Sequence, residues 1–312
     1  MKRKLKIILL VISVTLVTLG CANPALEHLE QGNTYADQAQ WGAAIIEYTK
    51  AIELAPELAG AYNQRGWAYD ETGQWDLAIA DLTRAIELDP ELAEAYNNRG
   101  WAYEEIGQHD LAIADCNKAI ELNPKMAEAY GNRGLSYGSK RQWDLAIADL
   151  TKAIELDPEL ADAYNNRGWA YNERGQYDLA IIDLDKAISL DPGLAIAYSN
   201  RAVSFVSNEQ WDLAIADCNK AIELDPELAE AYYSRGWSFG SKGQWDLAIA
   251  DLTKAIKLAP DLADAYFIRA IVYDTRGQYD LAIADLHKVI ELSTDPMLIQ
   301  LAEEGLRALG GK

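Results

Sequence analysis

Seven arginines recur every 34 residues: Arg65, Arg99, Arg133, Arg167, Arg201, Arg235 and Arg269. Each is followed sixteen residues later by an aspartate: Asp81, Asp115, Asp149, Asp183, Asp217, Asp251 and Asp285. Charges matched by their opposites at fixed spacing make either partly buried ion pairs between two helices or a row of arginines open to an acidic ligand. The ion pair is the preferred reading, because each arginine lies beside a small residue of its own helix. Breaking such a pair on one side costs about 3–5 kcal/mol when it is buried. Other reactive side chains are scattered. His28, His109 and His287 lie far apart, and each replaces a residue of another type in sister segments. Cys116 and Cys218 stand where Leu82, Leu150 and Leu252 stand elsewhere, which marks them as core thiols acting as small hydrophobes. The sequence shows no nucleophile with a base, tuned acid pair, metal cluster or phosphate loop. The expectation is therefore a protein without enzymatic activity, cofactor or metal.

The elements that position these residues follow from the period. Proline falls at Pro56, Pro90, Pro124, Pro158, Pro192, Pro226 and Pro260. Eight units fill residues 25–296: 25–58, 59–92, 93–126, 127–160, 161–194, 195–228, 229–262 and 263–296. Each predicts two helices. In the third unit the first helix starts at Ala93 and stops at Gly107, a capping glycine. The second starts near Asp110, whose acid suits a helix N-terminus, and ends before Pro124. Small residues (Gly100, Ala112, Ala119) mark where the helices touch. Tyr96, Tyr103, Ile113, Ile120 and Leu122 fill between them. Residues 297–312 form a capping helix and tail, with Leu298, Leu301, Leu306 and Leu309 on roughly one side; repeat arrays need such a cover.

The formal charge is −21. A chain this acidic does not grip nucleic acid, because phosphate contacts need Lys and Arg. Residues 1–6 are basic and residues 7–19 are apolar, followed by Gly20 and Cys21. That order describes an export signal, since thirteen residues are short of the about 20 a membrane span needs. Val17-Thr18-Leu19-Gly20-Cys21 resembles the lipobox of bacterial lipoproteins, with Thr18 where the family more often has Leu. The resemblance implies a signal peptide over residues 1–20 and a linker over 21–24. It also implies lipidation at Cys21 and a membrane-anchored protein whose soluble part lies outside the cytoplasm, at the cell envelope.

The 34-residue unit resembles the tetratricopeptide repeat. That family places an aromatic, a small residue and Tyr on the first helix, here Tyr62, Gly66 and Tyr69. On the second it places Ala, a large apolar residue and Ala, here Ala78, Leu82 and Ala85, and then Pro90. Units two to seven keep the pattern with small swaps such as Ala202, Phe205 and Phe239. The first unit has His28 for the aromatic; the eighth has Val289 for Ala, and its proline slips to Pro296. The resemblance covers 272 of the 312 residues. It implies an all-α solenoid: a right-handed superhelix of about eight helix pairs plus a C-terminal capping helix.

In that family the concave groove is lined by places 2, 5, 9, 12 and 13 of each unit, spacings that share one helical face. Carried onto this chain, the groove includes Asn63, Trp67, Asp70 and Glu71; Asn97, Trp101, Glu104 and Glu105; Asn165, Trp169, Asn172 and Glu173; and Tyr233 and Trp237. Trp beside carboxylates suits a basic peptide, by cation–π contact and charge attraction. Asn suits the backbone of an extended segment. Packing of these tryptophans on the next repeat is the competing reading. The other five (Trp41, Trp75, Trp143, Trp211, Trp245), in the turn before the second helix, are read as packing residues. Later units offer apolar groove places (Ile196, Val203, Val206, Phe267, Ile271), suited to an amphipathic helix. The chaperone-carboxylate clamp of one subclass needs bases at places 2, 5 and 6, which this chain lacks from the second unit on. The expectation is a scaffold binding a basic or amphipathic protein segment. A self-associating spacer and a glycan-binding groove are the alternatives.

Overall fold

The computed structural model describes residues 23–310, and Cys21 with the whole expected leader lies outside them. Seventeen helices and no strand occur among the described residues. They fall into two compact units. In Met1–Pro90 the helices are α1 (Pro24–Ala36), α2 (Trp41–Leu54), α3 (Ala59–Asp70) and α4 (Trp75–Leu88). In Glu91–Lys312 they are α5 (Ala93–Glu105), α6 (His109–Leu122), α7 (Ala127–Ser139), α8 (Trp143–Leu156), α9 (Ala161–Glu173), α10 (Tyr177–Leu190), α11 (Ala195–Ser207), α12 (Trp211–Leu224), α13 (Ala229–Ser241), α14 (Trp245–Leu258), α15 (Ala263–Thr275), α16 (Tyr279–Leu292) and α17 (Pro296–Leu309).

Turn chemistry sets this alternation. The Gly107 amide donates to the Glu104 carbonyl and the Gln108 amide to the Tyr103 carbonyl, at 2.9 and 2.8 Å. These two bonds satisfy carbonyls the helix leaves open, and they require a left-handed residue, which Gly107 supplies at φ +72°. The second helix starts one residue earlier than Asp110, so Trp41, Trp75, Trp143, Trp211 and Trp245 are its first residues and not part of the turn.

Each pair closes around a small residue. A Cβ built on Gly134 would lie 2.7 Å from Leu150 Cγ, so only glycine lets α7 and α8 approach this closely. Cys116 and Cys218 are fully buried in the corresponding place, where burial pushes the Cys116 thiol up to about 12. All seven predicted ion pairs are present between the helices of a pair. Arg167 Nε and Nη2 reach both oxygens of Asp183 at 2.7 and 2.8 Å. Its third arm donates to Thr151 on the preceding α8, 3.0 Å away. Tyr164 and Tyr171 flank the guanidinium at 5.8 and 6.0 Å. One arginine thus ties three helices together, and the row is not open to an acidic ligand. In the first pair, Glu47 instead meets His28 Nδ1 at 2.6 Å and Lys50 Nζ at 2.7 Å.

Helix α17 covers the last pair. Ala302 and Leu309 are buried against Leu286 and Val289 of α16, and Leu298 and Leu306 pack beside them.

Candidate functional site

The first helix of each pair carries the groove positions, and packing decides which side chains remain available there. In Met1–Pro90, α3 presents Asn63, Trp67 and Asp70, with Glu71 just beyond its end. Asn63 is buried. Trp67 is half-buried, edge-on to Trp41 with ring centroids 5.1 Å apart, and its Nε1 donates to Glu71 Oε1 at 3.1 Å.

In Glu91–Lys312 the expected ligand-binding amides serve the stack. Asn97 Oδ1 accepts from Asn132 Nδ2 at 3.0 Å, and Asn165 Oδ1 accepts from Asn200 in the same way. Asn172 is buried, donates to the Asn200 carbonyl at 2.8 Å and accepts from Ser204 Oγ at 2.6 Å. Glu104 likewise accepts from Ser136 and Ser139, at 2.7 and 2.6 Å, and lies 2.9 Å from His109 Nδ1. Apart from the Glu104–His109 contact inside one unit, these bonds join neighbouring first helices. They escape a reading based on one unit, because each needs its sister unit in register.

The tryptophans are shared between packing and surface. Trp169 is half-buried and edge-on to Trp143 at 5.1 Å, with its ring across Gly138. Trp237 packs beside Trp211 over Ala202, Val206 and Cys218, and lies 5.9 Å from Tyr233. Trp101 is half-buried. Val206, expected on the groove surface, belongs instead to that buried cluster. Ile196 and Ile271 do face solvent.

What remains outermost is a set of carboxylates: Glu94, Glu105, Asp162, Glu173 and Glu230 are exposed. No Lys or Arg occupies any of the five groove places from the second unit on. Partial burial raises the Glu105 carboxyl above its ordinary value, and neighbouring Glu104 raises it further. Asp162 is raised by partial burial and then by Asp191. Among the described residues, no group of three or more His, Cys, Asp or Glu is placed to hold a metal ion.

A tetratricopeptide repeat profile matches residues 93–126, 127–160, 161–194, 195–228 and 229–262, more than half of the chain. The chain belongs to the tetratricopeptide repeat family. Related repeat profiles match residues 47–80, 68–107 and 263–296. The fold is accordingly an all-α solenoid of tetratricopeptide helix pairs. The chain is similar to one in the crystal structure of the APC/C hetero-tetramer Cut9–Hcn1, with 20% identity and a TM-score of 0.75. That match covers 93% of this chain but 57% of the other, so the chain spans little more than half of that relative. A tetratricopeptide repeat protein from Parabacteroides merdae ATCC 43184 is 19% identical over 80% of this chain and 98% of its own, with a TM-score of 0.58. At these identities the likeness concerns the fold alone. The structure of YrrB, titled a TPR protein with an unusual peptide-binding site, is 28% identical over 61% of this chain and 97% of its own, at a TM-score of 0.45. No curated protein sequence matches the chain. Tetratricopeptide repeats commonly mediate protein–protein interaction, typically as scaffolds without enzymatic activity.

Proposed function

We propose that this tetratricopeptide repeat protein is a non-enzymatic scaffold whose first-helix groove binds a basic segment of a partner protein. The carrying observation is the row of exposed groove carboxylates with no Lys or Arg among the groove places. A cationic segment laid along α5 and α9 would meet Glu105, Asp162 and Glu173, and its arrival would relieve the crowding of Glu105 against Glu104. Half-buried tryptophans beside the carboxylates would add cation–π contact of about 0.5–2 kcal/mol each. The asparagines act from behind, holding the first helices in register.

Charge variants test this reading better than tryptophan removal, because Trp169 also packs on Trp143. Lys/Arg-rich, acidic and neutral peptides would be titrated against the protein and its Glu105→Gln/Asp162→Asn/Glu173→Gln variant at low and high salt. The basic peptide is expected to bind best, weaken with salt, and weaken at least tenfold in the variant. Equal binding of all three peptides, or salt-independent binding, rules the reading out.

The proposal extends to location: the chain is exported and held at the envelope membrane by lipid on Cys21, following the lipobox-like residues 17–21. Cells producing the protein and grown with radiolabelled palmitate should yield a labelled band. Cys21→Ser should abolish the label, and an unlabelled parent protein would refute the anchor.

A further inference from the structure

A three-unit duplication lies above the single repeat, and it sets two like junctions beside each other, only one of which has an indole across its glycine. Units 127–160 and 161–194 correspond, 102 residues on, to units 229–262 and 263–296. The correspondence reaches individual bonds. Lys140 pairs with Asp110 as Lys242 pairs with Asp212, and Arg174 pairs with Asp144 as Arg276 pairs with Asp246. Gly138 corresponds to Gly240 and Trp143 to Trp245, but Trp169 corresponds to Ile271.

The neighbouring places change as well, Leu135 to Trp237, Asn166 to Ile268, Ala170 to Val272 and Glu173 to Thr275, and the packing changes with them. At the earlier junction, the Trp169 ring crosses Gly138 so closely that a Cβ built there would lie 2.7 Å from Trp169 Cζ3. The indole fills the space between α7, α8 and α9, edge-on to Trp143. At the later junction, a Cβ on Gly240 would meet only Val272 Cγ2 at 3.3 Å and Ala248 Cβ at 3.8 Å. Val272, in the place of Ala170, takes up the part of that space next to Gly240, and Ile271, 48% exposed, does not reach across as the indole does. A solvent-open cavity of about 280 Å³ lies here, lined among others by Trp237, Gly240, Trp245, Ile268, Ile271 and Val272. An apolar cavity of about 150 Å³ already accepts benzene, so this one has room for a two-ring side chain. Aromatic rings pack edge-to-face or offset at centroid separations of about 4.5–7 Å, the arrangement in which Trp169 meets Trp143.

We propose that the cleft between α13, α14 and α15 is a binding pocket for an aromatic side chain of a partner protein, tryptophan above all, whose ring takes the place that Trp169 fills at the sister junction. The ring packs against Trp245 and Ile271 beside Val272, and Ser241, which also lines the pocket, has a hydroxyl that can accept from the indole N–H. The pocket lies on groove places of the seventh and eighth units, but its ligand class is read from the chain's own packing and not from charge, so it does not rest on the basic segment proposed above.

The test uses an uncharged, capped five-residue peptide with central tryptophan, and the same peptide with alanine in its place. Binding to the full chain would be followed by saturation-transfer NMR and calorimetry. Saturable binding of the tryptophan peptide, at least tenfold tighter than the alanine peptide and insensitive to salt, is expected. Ile271→Trp should fill the pocket from within, raise the melting temperature and reduce binding at least tenfold. Ile271→Glu, a change at a half-exposed helical position, should reduce binding by putting a charge at the mouth, and it serves if the tryptophan variant fails to fold. Equal affinity for the two peptides overturns the proposal. So does undiminished binding by a folded Ile271 variant. Because the probe carries no charge, failure of basic-segment binding would leave this outcome unaffected.

Discussion

At the scale of single residues, the arginine that seven of the eight repeats carry makes the most contacts per side chain. Asp183 is 4% exposed, and Arg167 is its bidentate partner. The guanidinium stays charged, because the Asp183 hydrogen bonds raise its pKa against the opposing effect of burial. Removing the arginine leaves a carboxylate with neither water nor a counter-charge. Arg167→Ala is therefore expected to cost about 3–5 kcal/mol in denaturant unfolding. Arg167→Lys should recover only part of this, since one ammonium cannot bridge both oxygens and Thr151 together. A loss under about 1 kcal/mol would mean that the pair behaves like a surface ion pair. This pair was legible in the sequence, because both partners lie inside one unit at a constant spacing of sixteen. The roles of Asn165 and Asn172 were not legible. Their partners, Asn200 and Ser204, lie in the next unit, 28 to 35 residues away, and a type pattern that suits a peptide backbone suits a neighbouring helix equally well.

At the scale of elements, the turn between the helices of a pair fixes one residue on the left-handed side of φ. Gly73, Gly107, Gly175, Gly243 and Gly277 occupy that place with φ between 68° and 74°. In three units a side chain stands there instead: Ala39, Arg141 and Glu209, at φ 53°, 58° and 57°. A residue with a Cβ costs roughly 1–2 kcal/mol in that conformation. Arg141→Gly should therefore stabilise the protein by about 1 kcal/mol. The contact it loses, a 3.8 Å approach of an exposed guanidinium to Glu173, is worth little. Gly107→Ala should destabilise by a similar amount. Both follow from thermal or urea melts, and a destabilised Arg141→Gly would show that the side chain does more than its contacts indicate. Helix pairs and their turns were readable because proline, glycine and the small-residue places recur at fixed intervals. Where the tryptophans point was not readable. A place on the first helix says which face it lies on, whereas the Trp169–Trp143 contact depends on how one pair sits against the next.

At the scale of the molecule, a repeat stack has no central core, and each pair is stabilised chiefly by its neighbours. The last pair has a neighbour on one side only, unless α17 supplies the other. Leu286 and Val289 are 4% and 0% exposed because Ala302 and Leu309 lie on them. A Cβ on Gly305 would come within 3.0 Å of Leu286 Cδ1, which shows how closely α17 approaches. A chain ending at residue 294 would uncover this apolar face. Its α15–α16 pair should then exchange amide hydrogens faster than the pairs before it, at a lower melting temperature. The freed face is also complementary to other apolar helix faces, so the shortened chain should self-associate in light scattering where the full chain does not. Leu301→Ala, at an exposed position of α17, separates the presence of the helix from its composition and should change neither property. If the shortened chain stayed monomeric with unchanged exchange in α15 and α16, the last pair would be stable alone, and α17 would be an appendage and not a cover. The self-associating alternative turns on the same comparison, because near-identical repeats offer each other an end to stack on only where such a face lies open.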